Sequence, residues 1–297
     1  MSKLPLIIAP MFLVSTPQMV IEAGKAGVIG SFPLLNARPI EKCAEWMEQV
    51  NNELGEVPWA VNFICHKKSN KRYDSDLHMI EKYKPPIVIT SLGNPGDVID
   101  IVHNYGGIVY SDVATVKHAK KAAETAVDGL ILVCAGAGGH GGILNPFSFI
   151  NVVKQFYDGT IILSGGMSTG KDIAAAKLMG ADYVYMGTRF LAANESNAQD
   201  EYKQMVIDKT VSDIIYTSAF SGVHANILIP SLIQQGIDPK TLKSREDVDL
   251  SHLVDVKAWR DIWSAGHGIN TVQKRETTKE IIGQLIKEYK KGVSDFV

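Results

Sequence analysis

Eight short runs of β-forming apolar residues recur along the first two-thirds of the chain, each followed by a stretch with helical spacing. The runs cover residues 6–9, 28–31, 59–63, 87–91, 108–111, 129–134, 160–164 and 183–186. Most are apolar throughout rather than alternating, the pattern of parallel strands covered on both faces. Between them, segments such as 115–125 and 169–179 place apolar residues at helical spacing and lysines on the opposite face. Gly27, Gly107 and Gly180 stand just before the next run, where a stopping helix favours glycine. This alternation predicts an α/β fold, a (β/α)8 barrel rather than a doubly wound sheet. A chain of 297 residues that is 45% apolar has the length and the core for one such barrel. The barrel is expected to occupy residues 1–195. Residues 196–297 read as a helical extension or small lobe beside the barrel mouth, with helices over 197–208 and 277–291 and loops at Gly222, Gly236, Gly266 and Gly268.

Thirty basic and thirty-two acidic side chains give a net charge of −2, with no long run of one sign. That pattern argues against nucleic acid or anionic lipid as a partner. Cys43, Cys65 and Cys134 are few and lack Cys-x-x-Cys spacing, as in a reduced, cytoplasmic compartment. Lys3 and the apolar run behind it resemble the start of a signal peptide. Pro5 and Pro10 interrupt that run, however, and no small-residue cleavage site follows. No apolar stretch reaches the ~18 residues of a membrane helix. A soluble, cytoplasmic protein is expected. Apart from His140, the histidines (His66, His78, His103, His118, His224, His252 and His267) never pair at ligand spacing, so no metal site is predicted.

A barrel of this kind carries its active site at the C-terminal ends of the strands. The residues to question there are Pro10 and Met11, Asn62, Thr90 and Ser91, Asp112, the stretch 135–142, Gly165 and Gly166, and Gly187 and Thr188. Glycines after the seventh and eighth runs let backbone N–H groups approach an anion, and a helix start after Thr188 would add a positive dipole end. Gly165, Gly166, Gly187 and Thr188 therefore predict a phosphate site; the plain alternative is that the glycines only make tight turns. His140 lies among Gly138, Gly139, Gly141 and Gly142, which leave room for a planar ligand against the imidazole. A neutral imidazole there suits proton abstraction near pH 7, and its alternative is a surface histidine without a role.

Two motif matches fail on context. Gly136 to Gly141 fit Gly-x-Gly-x-x-Gly after a strand, yet the helix cap Asn145-Pro146 comes only later, and Asp158 precedes a strand instead of ending one. Gly165 to Lys171 resemble a nucleotide-triphosphate loop, but Asp172 stands where a magnesium-binding Ser or Thr is required. Cys134, inside a strand, reads as a small apolar residue rather than a nucleophile.

Together the strand-end motifs resemble the flavin-dependent nitronate monooxygenases, formerly called 2-nitropropane dioxygenases. The carriers are Ala9-Pro10-Met11, Val61-Asn62, Ala137-Gly138-Gly139-His140-Gly141-Gly142, Ser164-Gly165-Gly166 and Met186-Gly187-Thr188-Arg189-Phe190-Leu191-Ala192. Each is weak alone, but all of them in this order at strand ends are specific. The likeness runs from Pro5 to about Ser196 and more loosely through the tail. It implies non-covalent FMN, with Met11 at the isoalloxazine ring beside Pro10 and Asn62 hydrogen-bonding that ring. Gly138 and Gly139 would be among the cofactor-binding residues, and Gly165, Gly166, Gly187 and Thr188 would hold the phosphate. His140 aligns with the family's catalytic histidine. The implied chemistry is oxidation of an alkyl nitronate by the flavin, then reoxidation by O2.

Two departures bear on the substrate. Well-characterised relatives resemble Gln-Gly-x-Glu where Val133, Cys134, Ala135 and Gly136 stand, and some carry a flavin-reaching lysine where Asp112 stands. Similar barrels act as NAD(P)H:quinone reductases or flavin-containing enoyl-acyl-carrier-protein reductases. A nitronate, nitroalkane or quinone therefore stays open as substrate, and O2 or NAD(P)H as its partner. From another class, a flavin-free phosphate-binding barrel lyase or isomerase also stays open. The polar loop 65–76 reads as a lid or a connector, and the tail as a surface able to join copies into a homo-oligomer.

Overall fold

Helix starts and stops lie where local chemistry puts them. The hydroxyls of Thr16, Thr115 and Thr169 accept backbone N–H groups three residues on, so each caps a helix. The computed structural model of the chain describes residues 4–245 and 260–295; Lys3 and His252 lie outside the described residues. The order is β1 (Leu6–Ile8), α1 (Pro17–Ala26), β2 (Ser31–Pro33), α2 (Ile40–Leu54), β3 (Ala60–Ile64), α3 (Tyr73–Tyr83), β4 (Ile87–Ser91) and α4 (Gly96–Asn104). It continues with β5 (Ile108–Val113), α5 (Val116–Ala123), β6 (Gly129–Val133), β7 (Gly139–His140), α6 (Pro146–Val153), β8 (Thr160–Ser164), α7 (Gly170–Leu178) and β9 (Tyr183–Met186). The tail adds α8 (Asp200–Asp208), β10 (Ile214–Thr217), β11 (Ala225–Leu228), α9 (Ile229–Gln234) and α10 (Thr278–Ser294).

Eight parallel strands pair in the order β1-β9-β8-β6-β5-β4-β3-β2. The ring closes where Ile8 N–H donates to Ile29 O (2.8 Å) and Ile29 N–H to Leu6 O (3.1 Å). The expected (β/α)8 barrel is therefore present. The second strand sits later than residues 28–31, because Ile29 alone serves the β1 edge while Ser31–Pro33 pairs with β3. Inward-facing Ile7, Ala60, Ile89, Ile131, Ile162 and Tyr185 pack together and fill the barrel. A larger apolar cluster lies between the strands and the surrounding helices.

The tail is not wholly helical. β10 and β11 form an antiparallel hairpin that joins β7 in a second sheet, absent from the helical expectation for residues 196–297. Four-residue apolar runs such as Ile-Ile-Tyr-Thr and Ala-Asn-Ile-Leu cannot be told from helix by periodicity. Beyond the hairpin, α10 returns to the barrel wall and packs against α7 and α1. It is tied there by Gly170 N–H to Glu288 (2.8 Å) and Thr278 N–H to Glu195 (2.8 Å), and the chain leading into it by the buried Arg189–Glu276 pair (3.0 Å). Among the described residues no helix is long and apolar enough to cross a membrane.

Candidate active site

A cavity of about 1520 Å3 opens at the C-terminal ends of the barrel strands. Pro10, Met11, Asn62, Gly138, Gly139, His140, Gly165, Gly166, Gly187 and Thr188 all reach its wall. The turn after β1 is held by Asn36. Its Nδ2 donates to Met11 O (3.0 Å) and Ser15 O (2.9 Å), and its Oδ1 accepts from Leu13 N–H (2.8 Å). That clamp keeps Leu13, a cavity residue, in the left-handed region at φ 61°.

The wall after β8 and β9 is made of backbone. Gly165 and Gly166 take φ values of 114° and 69°, which a side chain would resist. A Cβ on Gly165 would come within 2.7 Å of Ala135 O, whereas one on Gly166 would meet only His267 Cβ at 4.0 Å. The expected helix start after Thr188 is absent. Thr188–Phe190 is one turn of 3-10 helix, too short for a macrodipole to develop. Gly166 N–H is also committed, to Gly136 O at 3.1 Å. The Thr188 hydroxyl accepts Gly266 N–H (2.8 Å) and keeps its own proton for another acceptor.

His140 is not a loose surface residue. It lies on β7 opposite Ala225 of β11, and Gly141 N–H donates to His224 O (3.2 Å). Asn226 Nδ2 holds Ala137 O (2.7 Å), and Tyr216 OH holds Gly141 O (2.8 Å). Ser221 Oγ stands 3.1 Å from His140 Nε2 and donates its proton to Val223 O (3.0 Å). The Ser221 contact anchors the imidazole at Nε2.

The wall after β3, β4 and β5 is made of side chains. Asn62 Nδ2 donates to Ile89 O (3.1 Å) and Ser91 Oγ (2.8 Å), and Ser91 Oγ donates to Asp112 Oδ2 (2.5 Å). Asp112 Oδ1 and the Tyr185 hydroxyl are shielded from solvent and have no hydrogen-bond partner among the described residues. Burial, against the pull of the Ser91 bond, pushes the Asp112 carboxyl up to about 7. Burial first, then the Asp112 charge, raises the Tyr185 hydroxyl well above its ordinary value. Cys134 is buried and pushed up to about 12, which makes it a poor nucleophile.

Loop 65–76 is short and tied in this structure, because α3 begins at Tyr73. Asn70 Nδ2 donates to Ile64 O (3.1 Å), and Arg72 reaches Ala37 O (2.5 Å) and Asp76 (2.6 Å). His66 is its contribution to the cavity wall. Sequence reasoning missed Tyr185 and the tail residues Trp263 and Gly266 on the wall, and Ser221 beside His140. One signal for Tyr185 was present, since it lies two residues before Gly187 and so on the same strand face.

A profile of the nitronate monooxygenase family matches residues 21–288. A protein named nitronate monooxygenase from Paraburkholderia phytofirmans is 24% identical, over 80% of this chain and 76% of that one. Among solved structures, the nitroalkane oxidase of Streptomyces ansochromogenes superposes with a TM-score of 0.83 at 21% identity, covering 99% and 98% of the two chains. FabK from Thermotoga maritima does so with a TM-score of 0.79 at 22% identity, covering 99% and 95%.

Proposed function

Because the chain belongs to the nitronate monooxygenase family, we propose that this enzyme is an FMN-dependent oxidoreductase that oxidises alkyl nitronates, with O2 as the final acceptor. One observation carries the reading: a single cavity gathers a clamped histidine, a glycine wall and a polar side-chain wall at one barrel mouth. Its volume of about 1520 Å3 exceeds the roughly 300–1,000 Å3 of a common small-ligand site, which leaves room for cofactor and substrate together. The residues fit FMN. Gly166 presents an open, side-chain-free face, and Thr188 offers a hydroxyl donor. Gly138 and Gly139 add uncovered backbone beside His140, and Pro10 and Met11 present an apolar edge.

Bound flavin supplies a two-electron acceptor that O2 can regenerate. This chain supplies the rest. The β10–β11 hairpin fixes the His140 backbone, and Ser221 anchors the ring at Nε2. A nitronate, already deprotonated, needs only positioning and charge stabilisation. A neutral nitroalkane must first surrender its α-proton, and the His140 imidazole is the group to receive it.

His140→Ala is therefore expected to lower kcat/KM on the neutral nitroalkane by about 10^2–10^4-fold and on the nitronate far less. Both rates are normalised to bound flavin. Equal losses would make the histidine a positioning group, and full activity on both forms would remove it from the mechanism. Anaerobic mixing of the flavin-loaded enzyme with a nitronate, NADH or NADPH identifies the electron donor. Bleaching by NAD(P)H alone would replace the monooxygenase reading with a reductase.

A further inference from the structure

We propose that the half of the cavity built by the loops after β1 to β4 is a hydrocarbon subsite, and that Leu13 and Leu92 set which chain it takes. The inference deepens the nitronate reading above and rests on it: the substrate is a nitronate whose tail is an uncharged alkyl chain of several carbons. In the ring of strands, β1, β2, β3 and β4 stand side by side in one half and β5, β6, β8 and β9 in the other. His140, the glycine turns and every charged wall residue among the described residues (Asp112, Lys121, Glu124 and Arg260) come from β5 onward in the chain. The first half offers Leu13, Pro33, Leu35, Ile64 and Leu92, with no Lys, Arg, Asp or Glu among its described wall residues. Its polar side chains are engaged locally. Asn62 donates to Ser91 Oγ (2.8 Å), His66 Nδ1 lies 2.7 Å from Ser69 Oγ, and Asn94 Oδ1 accepts Gly96 N–H (3.1 Å). Such a wall rewards burial of hydrocarbon and leaves a charged tail without a partner.

The two leucines are singled out by their backbone. Leu13 and Leu92 take φ values of 61° and 59°, a region that glycine and asparagine enter far more readily than leucine. Each loop enforces it. Leu13 N–H donates to Asn36 Oδ1 (2.8 Å), and Leu13 O accepts from Asn197 Nδ2 (3.1 Å). Leu92 stands between two contacts to Cys65: Ser91 O accepts Cys65 N–H (2.8 Å), and a Cβ on Gly93 would come within 2.8 Å of the Cys65 carbonyl carbon. The glycine of that turn serves the close approach, so the left-handed backbone falls on the leucine. Among the described residues, neither leucine packs into the apolar clusters of barrel or tail; both are half-buried and reach the cavity. Strain held at two leucines that build no core points to what they present to the cavity.

The test is kcat/KM on the nitronates of 1-nitropropane, 1-nitrobutane, 1-nitrohexane and 3-nitropropanoate, normalised to bound flavin. For wild type it is expected to rise about two- to fourfold per added methylene and to be lowest for the nitronate that bears a carboxylate. Leu13→Asn and Leu92→Asn suit the left-handed backbone but replace hydrocarbon with an amide. Each is expected to hold the rise across the whole series to less than about twofold, with Tm within about 2 °C of wild type. A drop in Tm of more than about 5 °C would place that side chain inside the protein and overturn its role. A flat or falling wild-type series overturns the subsite, as does a preference for 3-nitropropanoate; Asn variants that keep the wild-type rise overturn the assignment to the two leucines. Calorimetric titration of the same purified protein with 1-butanol and 1-hexanol reads the subsite without turnover, and the same gain per methylene is expected. Protein that oxidises no nitronate, yet shows that gain and loses it in the Asn variants, overturns the nitronate reading and retains the subsite. Protein that shows the gain in neither experiment overturns the subsite whatever its activity.

Discussion

The two sides of the barrel mouth are built from different materials. After β6, β8 and β9 the wall is backbone: Gly136 O gathers Gly166 N–H (3.1 Å) and His267 N–H (2.9 Å), and Gly165 is wedged against Ala135 O. After β3, β4 and β5 it is a chain of side chains, Asn62 to Ser91 to Asp112, ending on an unpaired carboxyl oxygen. The glycine turns recognise by shape and carry no titrating group of their own, so they tolerate changes of pH but not of volume; the titrating His140 stands beside them. A side-chain wall carries a charge that can change, so it has the opposite sensitivities.

The largest effect should come from adding volume to the first wall. Valine at Gly165 would put Cβ 2.7 Å from Ala135 O and 2.9 Å from Cys134 O, at a φ of 114°. Neither neighbour is a side-chain tip that can swing away. Gly165→Val is expected to cost about 3 kcal/mol or more, which at roughly 2–4 °C per kcal/mol lowers Tm by about 6–12 °C. Thermal unfolding of the apoprotein reads this directly. A Tm within 2 °C of wild type would mean that the strand end gives way easily and would erase the contrast.

A smaller effect should come from removing the charge on the second wall. The folded Asp112 carboxyl lies near 7 against an ordinary value of 3.8. Its penalty is absent below the ordinary value, grows between the two values and is complete above the folded one. Apoprotein stability should therefore fall between about pH 4 and pH 7. Asp76, pushed up to about 6 chiefly by burial, adds to that decline in both proteins. Asp112→Asn keeps an acceptor for Ser91 but cannot ionise. It should match wild type near pH 4 and exceed it by about 1–3 kcal/mol at pH 8, the shift being discounted for relaxation and water entry. Urea midpoints at the two pH values check this, and parallel wild-type and variant curves would show that the acid is already ionised and solvated.

How much of this was legible in the sequence follows the same division. The strands were legible because a parallel barrel writes them as continuous apolar runs, and residues 87–91, 160–164 and 183–186 match strand bounds. The glycine wall was legible because glycine at a strand end has few other reasons to be there. Its electrostatics were not: a single 3-10 turn after Thr188 and a long helix share the same first residues. Asp112 was visible only as a strand-end residue, since its burial depends on Ser91 and Tyr185 from other strands. Tyr185 reads as one more apolar strand residue until register turns it inward. The hairpin that clamps His140 was illegible because β11 lies 85 or more residues along the chain from β7, and no local pattern predicts that pairing.

The smallest effect should come from Gly187, which the sequence makes equivalent to Gly165. Its φ of −109° is open to any residue. An added Cβ would rest 3.5 Å from Ala9 Cβ and from Met11 Cγ and Sδ, which is ordinary contact. The glycine is therefore not required by the protein around it. Gly187→Ala is expected to change stability by less than about 0.5 kcal/mol, so Tm should stay within about 2 °C of wild type. With FMN bound, the same variant sharpens the comparison. Retention of wild-type affinity would confine the shape-reading part of the backbone wall to the Gly165–Gly166 turn. A folded Gly187→Ala protein that has lost FMN would mean that a ligand atom, not a protein atom, claims the space above residue 187, and the backbone wall would then extend across both strands.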